Sequence, residues 1–197
     1  ALAMMALAFG AQVLVAAAQA AVAELGPAVG VAAPAIAGAE QTGAAANFAS
    51  LKGENGLVIA FVRSADWCPF CKKQLEDLNT IADDLEGRGF KLAALSYDSV
   101  DTLAKFAKSK KLTYTLISDP KSQVIDAFGL RNMDMAGSAR MNGIPHPAIF
   151  VIGADGEVLA KLREEGYRKR PPTDVVLKAV DDAVAMGAGG GKGGRPG

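Results

Sequence analysis

The sequence predicts an α/β fold in which a central mixed β-sheet is flanked by helices. Three observations predict it. Apolar runs of strand length alternate with amphipathic helical stretches between residues 57 and 128. A hairpin pattern follows at residues 148–162, with an amphipathic closing helix after it. Both cysteines of the chain, Cys68 and Cys71, stand where the first apolar run gives way to the first helix. Junctions of that kind are the usual active-site position in such sheets.

The chain has 197 residues, enough for one domain with a full core and tails. Its 21 Lys and Arg balance its 21 Asp and Glu, so no charge excess recruits nucleic acid or an acidic partner. Two cysteines are too few for a disulfide scaffold.

Residues 1–23 are almost wholly apolar and carry no charge, and Ala18-Gln19-Ala20 and Ala21-Val22-Ala23 fit a small-x-small cleavage pattern. They read as a secretory signal peptide whose start Met and basic n-region lie outside this sequence. An uncleaved anchor is the alternative, and membrane contact is expected only in that case. An Ala-rich structural helix is the plain alternative. Residues 24–47, rich in Ala, Gly and Pro, read as an irregular lead-in. A folded domain is expected over 48–186, opening with a short strand or turn at 48–56.

Leu57 to Val62 is a continuous apolar, β-branched run, the pattern of a strand buried on both faces. Pro69 to Glu86 repeats Leu75, Leu78, Ile81, Ala82 and Leu85 on one helical face, with Gly87 and Gly89 as the stop. Phe90 to Tyr97 reads as a strand. Val100 to Lys111 reads as a helix with Leu103, Phe106 and Ala107 inward; its lysines read as a solvated face. Tyr114 to Ile117 is a short strand, and Asp119-Pro120 starts a short helix ended by Gly129. Residues 130–144 show no period and read as a long loop. Ala148 to Ile152, the turn Asp155-Gly156 and Glu157 to Leu162 form the hairpin. Thr173 is the expected N-cap of a last helix with Val176, Leu177, Val180 and Val184 inward. Residues 187–197 read as a disordered Gly-rich tail.

The chemistry centres on Trp67-Cys68-Pro69-Phe70-Cys71. Only a thiolate attacks, and a helix N-terminus favours the thiolate through its unpaired N–H groups and dipole. Pro69 suits the first helical position, which makes Cys68 the N-cap-side thiol. Cys71, one turn on, is in reach to close a disulfide with it, and Lys72 and Lys73 add positive charge. Half a zinc site is the competing reading, but tetrahedral zinc needs further ligands and the chain offers one His, His146, and no third Cys. No metal is therefore expected, and no cofactor. An inert buried pair is the other alternative.

W-C-P-F-C after the first central strand, with a proline entering a later strand, resembles the thioredoxin-like superfamily. More closely, the chain resembles its redoxin branch, the alkyl hydroperoxide reductase and thiol-specific antioxidant family. The resemblance rests on Val29-Gly30 with Pro34, Leu51-Lys52-Gly53, Val58 to Phe61, Ser96-Tyr97-Asp98-Ser99 and Phe106-Ala107. It continues through Leu116 to Pro120, Ala127-Phe128-Gly129, Phe150-Val151-Ile152 and Asp155-Gly156, covering roughly residues 29–184. It implies a thioredoxin-like fold and a cis-proline facing the dithiol, at Pro147 or alternatively Pro145. Two departures stand out. The peroxiredoxin Pro-x-x-x-Thr-x-x-Cys pattern would place Ser64 at the Pro and Cys68 at the Thr when Cys71 is aligned to the peroxidatic Cys. The family's strand Arg falls at Pro147, leaving Arg63, Arg131 or Arg140 as substitutes. Thioredoxin's buried Asp, six residues before its first Cys, is Val62 here, with Asp66 nearer.

The expected activity is thiol–disulfide exchange. Cys68 attacks, Cys71 resolves, and an external dithiol reductant restores the pair. Trp67 and Phe70 form an apolar rim for the substrate, and His146 tunes the dithiol from the facing loop. Protein disulfides are one substrate class, and hydroperoxides, through peroxidase chemistry, are the alternative. A non-enzymatic interaction or metal-binding module is the third reading. The leader implies export, to a bacterial periplasm or to a membrane facing it, an oxidising compartment.

Overall fold

The computed structural model describes residues 25–166 and 168–190. In chain order its elements are strands β1 (Ala37–Glu40) and β2 (Ala45–Asn47), helix α1 (Phe48–Leu51), β3 (Gly56–Phe61), α2 (Pro69–Asn79), α3 (Ala82–Glu86) and β4 (Phe90–Ser96). Then come α4 (Val100–Lys110), β5 (Thr115–Ser118), α5 (Gln123–Ala127), β6 (Ala148–Gly153), β7 (Val158–Leu162) and α6 (Thr173–Gly190). The seven strands form one sheet in the order β2-β1-β5-β4-β3-β6-β7. The pairs β3–β4 and β4–β5 are parallel, and β6 runs antiparallel to β3 and to β7. This is the thioredoxin-like α/β fold with a central mixed sheet. Among the described residues no helix is long and apolar enough to cross a membrane. The leader reading of 1–23 falls outside the described residues, as does the tail reading from 191 onward.

Strand β3 is buried along its whole length because the sheet is covered on both faces. Val58, Ala60 and Val62 point to one face, where α2, α4 and α6 contribute Leu75, Leu103, Phe106, Val176 and Val180 together with both cysteines. Leu57, Ile59 and Phe61 point to the other face, with Val124, Ile125, Phe128 and Phe150. There the rings of Phe61, Phe128 and Phe150 pack with centroids 4.7, 5.8 and 5.4 Å apart in tilted and edge-on arrangements.

The structure corrects several local expectations. The lead-in 24–47 is not irregular throughout, because it carries β1 and β2. These strands are poor in large apolar residues; β2 pairs with β1, and β1 is held by the backbone ladder to β5. Gly38 permits the close approach, since a Cβ there would meet Ile117 Cγ2 and the Ser118 carbonyl at 2.8 Å. The Gln41 carboxamide fastens the edge by donating to the Tyr114 carbonyl and accepting from Leu116 N–H. Residues 48–51 are helical, not a strand, because Asn47 and Ser50 form a reciprocal cap.

The helix expected over 69–86 is two helices. At Thr80 the hydroxyl donates to the Asp77 carbonyl at 2.6 Å and the backbone tightens. Ile81 and Leu85 remain buried across the break, so the apolar period runs through it. Helix α5 starts later than Asp119-Pro120. The Asp119 carboxylate accepts from the N–H groups of Gln123, Val124 and Ile125 and acts as its cap from outside. The long loop 130–144 holds a 3-10 turn at Met133–Met135. Thr173 is the first residue of α6, with Val176 N–H bonded to the Pro172 carbonyl. Val184 is exposed and Ala183 takes the inward place. The helix reaches Gly190, so the first residues of the expected tail are helical.

The expected cis-proline is absent: among the described residues every peptide bond is trans, at Pro145 and Pro147 alike. The reason is local pairing. Asn132 N–H donates to the Ile144 carbonyl and His146 N–H to the Leu130 carbonyl, which hold 144–146 extended as they lead into β6. We expect Phe150→Ala to cost about 3–5 kcal/mol by opening the three-ring cluster. Urea unfolding of the variant against wild type checks it.

Candidate active site

The site stands where β3, β4 and β6 end together. Phe61 pairs with Leu95 on one side and with Ala148 on the other, so the loop 62–68, the turn after β4 and Pro147 meet at one edge. The loop is built on Asp98, which is only 8% exposed. One carboxylate oxygen accepts from the Ser64 hydroxyl at 2.8 Å, and the other accepts from Ala65 N–H at 2.7 Å and the Ser96 hydroxyl at 2.8 Å. Ser64 Oγ in turn accepts from Asp66 and Trp67 N–H. Ser64 thus works as a hydrogen-bond relay between Asp98 and the N–H groups of Asp66 and Trp67.

This loop delivers Cys68 to the N-cap of α2, with Pro69 following in the first turn. Cys68 Sγ accepts from Cys71 N–H at 3.2 Å. Cys68 and Cys71 are joined by a disulfide, their Cα atoms 5.2 Å apart. Both residues are 0% exposed. Arg170, from the connection between β7 and α6, donates through Nη2 to Cys71 Sγ at 3.6 Å.

The other expected residues lie around the pair. Trp67 is half-buried, its Nε1–H donating to Tyr97 Oη at 2.9 Å, and Tyr97 Oη donates to the Arg140 carbonyl. The Arg140 guanidinium lies 5.4 Å from the Trp67 ring, and that of Arg168 lies 5.8 Å from the Phe70 ring. The rim of Trp67 and Phe70 is therefore capped by two cations. Pro69 is exposed, and Pro147 is half-buried at the sheet edge. His146 is half-buried, and no hydrogen bond joins its imidazole to a sulfur among the described residues. Its pKa is lowered, first by burial and then by Arg163, against an opposing pull from Asp134. The neutral imidazole brings no cation to the dithiol.

Of the suggested arginines, Arg131 is held by Asp126, and Arg140 lies over Trp67 within 3.9 Å of Asp66. Arg63 is buried just beyond β3. Sequence reasoning missed Arg170 and the role of Asp98. An acid directly after a buried apolar strand was a usable signal for Asp98. Nothing in Arg168-Lys169-Arg170 marks which cation turns inward. Among the described residues no three His, Cys, Asp or Glu side chains gather as a metal would require.

The AhpC/TSA family model matches residues 29–161. The chain belongs to the AhpC/TSA family. Within that family it is a thiol-based oxidoreductase whose redox-active group is the Cys68–Cys71 pair. It is 30% identical to peroxiredoxin Bcp of Escherichia coli (strain K12) over 119 residues, covering 60% of this chain and 74% of the relative. It is 26% identical to the 1-Cys peroxiredoxin PER1 of Zea mays over 153 residues, covering 70% of this chain and 66% of that protein. Among solved folds it is similar to peroxidoxin BcpB from Mycobacterium tuberculosis, with a TM-score of 0.64 at 23% identity, covering 80% of this chain and 94% of that one. Enterococcus faecalis AhpC gives a TM-score of 0.69 at 16% identity, covering 85% and 98%.

Two predictions follow from this geometry. Asp98→Asn places an N–H₂ against donors and is expected to cost about 2–4 kcal/mol, read by urea unfolding, and to speed amide exchange in 64–67. For His146, the lowered pKa means that the unfolded chain binds more protons than the folded one as pH falls through about 6.5. Stability therefore declines on acidification through that window. The decline is expected to be shallower in His146→Gln, measured as denaturation midpoints at several pH values.

Proposed function

We propose that the protein is a thiol-dependent peroxidase that reduces hydroperoxides through the Cys68–Cys71 pair. One thiolate attacks a peroxide oxygen. The O–O bond breaks, the alcohol or water leaves, and a sulfenic acid remains on the sulfur. The second thiol condenses with it, forming the disulfide and releasing water. An external dithiol reductant then returns the pair to the reduced state.

The observation that carries this reading is the closed, fully buried cysteine pair within an AhpC/TSA fold. A hydroperoxide needs to bring only one oxygen to the sulfur. A protein disulfide must bring two chains with it, past Trp67, Phe70, Arg168 and Arg170. The second reading, thiol–disulfide exchange with protein substrates, is favoured by Cys68 at the helix N-cap, accepting an N–H bond as an attacking thiolate would. Export belongs to the proposal through the apolar residues 1–23. Recovery of the protein in the cytosolic fraction with its N-terminus intact removes that part.

With dithiothreitol as reductant, wild type is expected to consume hydroperoxide, while Cys68→Ser and Cys71→Ser each lose at least ~100-fold in turnover. Insulin reduction is assayed beside it. Fast insulin reduction without peroxide loss selects the second reading.

A further inference from the structure

We propose that Tyr97 sets the size of what reaches the dithiol: its hydroxyl pins Trp67 to the 130–144 loop, and the pin keeps protein disulfides out. This rests on the peroxidase reading and adds the residue that makes the site selective for a small oxidant.

The phenol stands on a fixed base. Tyr97 lies between Ser96, the last residue of β4, and Asp98, whose carboxylate holds loop 64–67. The Ser118 hydroxyl donates to the Asp98 carbonyl at 2.6 Å and ties the same turn to β5. From that base the Tyr97 hydroxyl accepts from Trp67 Nε1–H at 2.9 Å and donates to the Arg140 carbonyl at 2.7 Å. The hydroxyl thus uses its one proton and a lone pair to join two segments far apart in sequence. Arg140 closes the ring of contacts, its guanidinium 5.4 Å from the Trp67 ring and 3.9 Å from the Asp66 carboxylate. That ion pair is exposed at both ends and adds little, so the directional part of the cluster is the phenol. Among the described residues, the other hydrogen bonds of 133–141 close within the loop 130–144. Without the Tyr97 hydroxyl, the tip of that loop is left with weak contacts to the dithiol loop.

What the pin holds shut is one side of the dithiol. Trp67 directly precedes Cys68, and with Phe70 it packs against the core cluster that contains both cysteines. A protein disulfide meets a thiolate there only when Trp67 and the loop above it lift together. The exchange itself needs nothing further. A thiolate of the reduced pair attacks one sulfur of the substrate disulfide, and the other sulfur leaves as a thiolate. The second thiol of the pair then displaces the bound sulfur, which leaves Cys68–Cys71 oxidised and the substrate as two thiols. The external dithiol reduces the pair again. The chemistry therefore permits both substrate classes, and the population of the lifted state decides between them.

Insulin reduction and tert-butyl hydroperoxide consumption, both driven by dithiothreitol, test this on the full chain. Tyr97→Phe keeps the ring and removes the hydroxyl. It is expected to raise insulin reduction about tenfold above wild type, and with it the ratio of insulin to peroxide turnover, as loss of such hydrogen bonds shifts a local opening. Trp67→Phe removes the other end of one bond and is expected to raise insulin reduction too. The double variant is expected to gain no more than Tyr97→Phe alone, because both changes break the same bond. A phenol that only stabilised the fold would instead lower both activities together. A Tyr97→Phe protein that shows a cooperative urea transition and gains no insulin reduction overturns the proposal. Trp67 is the only tryptophan, so its indole N–H gives a single signal in ¹H–¹⁵N spectra of the wild type. That proton is expected to exchange with solvent at least ~tenfold more slowly than a free indole. Exchange at the free rate overturns the pin without any variant, so a misfolded Tyr97→Phe does not blunt the test. If wild type consumes hydroperoxide and the substitution leaves insulin reduction unmoved, the pin falls and the peroxidase reading stands. If wild type consumes none and the substitution still raises insulin reduction, the pin stands and the peroxidase reading falls.

Discussion

The carboxylate of Asp98 is the constraint from which the site follows. It accepts three hydrogen bonds that loop 64–67 and the end of β4 would otherwise give to water. A buried acid without such partners would be costly, and three N–H and O–H donors left unmet would be costly too. Each therefore holds the other in place. The parallel register sets Leu95 opposite Phe61, which brings Asp98 level with the loop it must hold. With Ser64 and Ala65 fixed, the chain enters α2 at one angle, and Cys68 becomes its N-cap. A thiol at that position, one turn from a second thiol, can form a disulfide without distorting the helix that carries both.

Closure has a chemical consequence. The oxidised pair is sealed from solvent, with Arg170 on one side and the capped rings of Trp67 and Phe70 on another. Cation–ring contacts at half-buried positions are modest, each of order 1 kcal/mol. The cover is thus held by several weak contacts, not by one strong one. In the reduced state a hydroperoxide has to pass this cover with one oxygen only, where a folded partner has to displace it. This is the physical basis for ranking hydroperoxides ahead of protein disulfides in the proposed activity.

Where local reading erred, it did so through contacts distant in sequence. The Ala- and Gly-rich β1 carries no apolar alternation, because its stability comes from backbone pairing with β5 and from the missing side chain at Gly38. The break at Thr80 is invisible to periodicity, because Ile81 and Leu85 stay on the buried face after it. The trans bonds at Pro145 and Pro147 go with a pairing between 130–132 and 144–146, two stretches that looked like opposite ends of a featureless loop.

The sequence by itself determined the α/β order, the double-sided burial of β3, the inward faces of α2 and α4, the β6–β7 hairpin and the cysteine pair at a helix start. These are consequences of short-range periods, turn residues and helix-end chemistry, all encoded within a few residues of where they act. Only the tertiary structure decided that Asp98 anchors the loop, that Arg170 is the guanidinium at Cys71, and that both sulfurs are sealed. Asp98 is 34 residues from Ser64, and Arg170 is 99 from Cys71. Side chains so far apart along the chain meet through sheet register and loop path, and no local pattern carries that information.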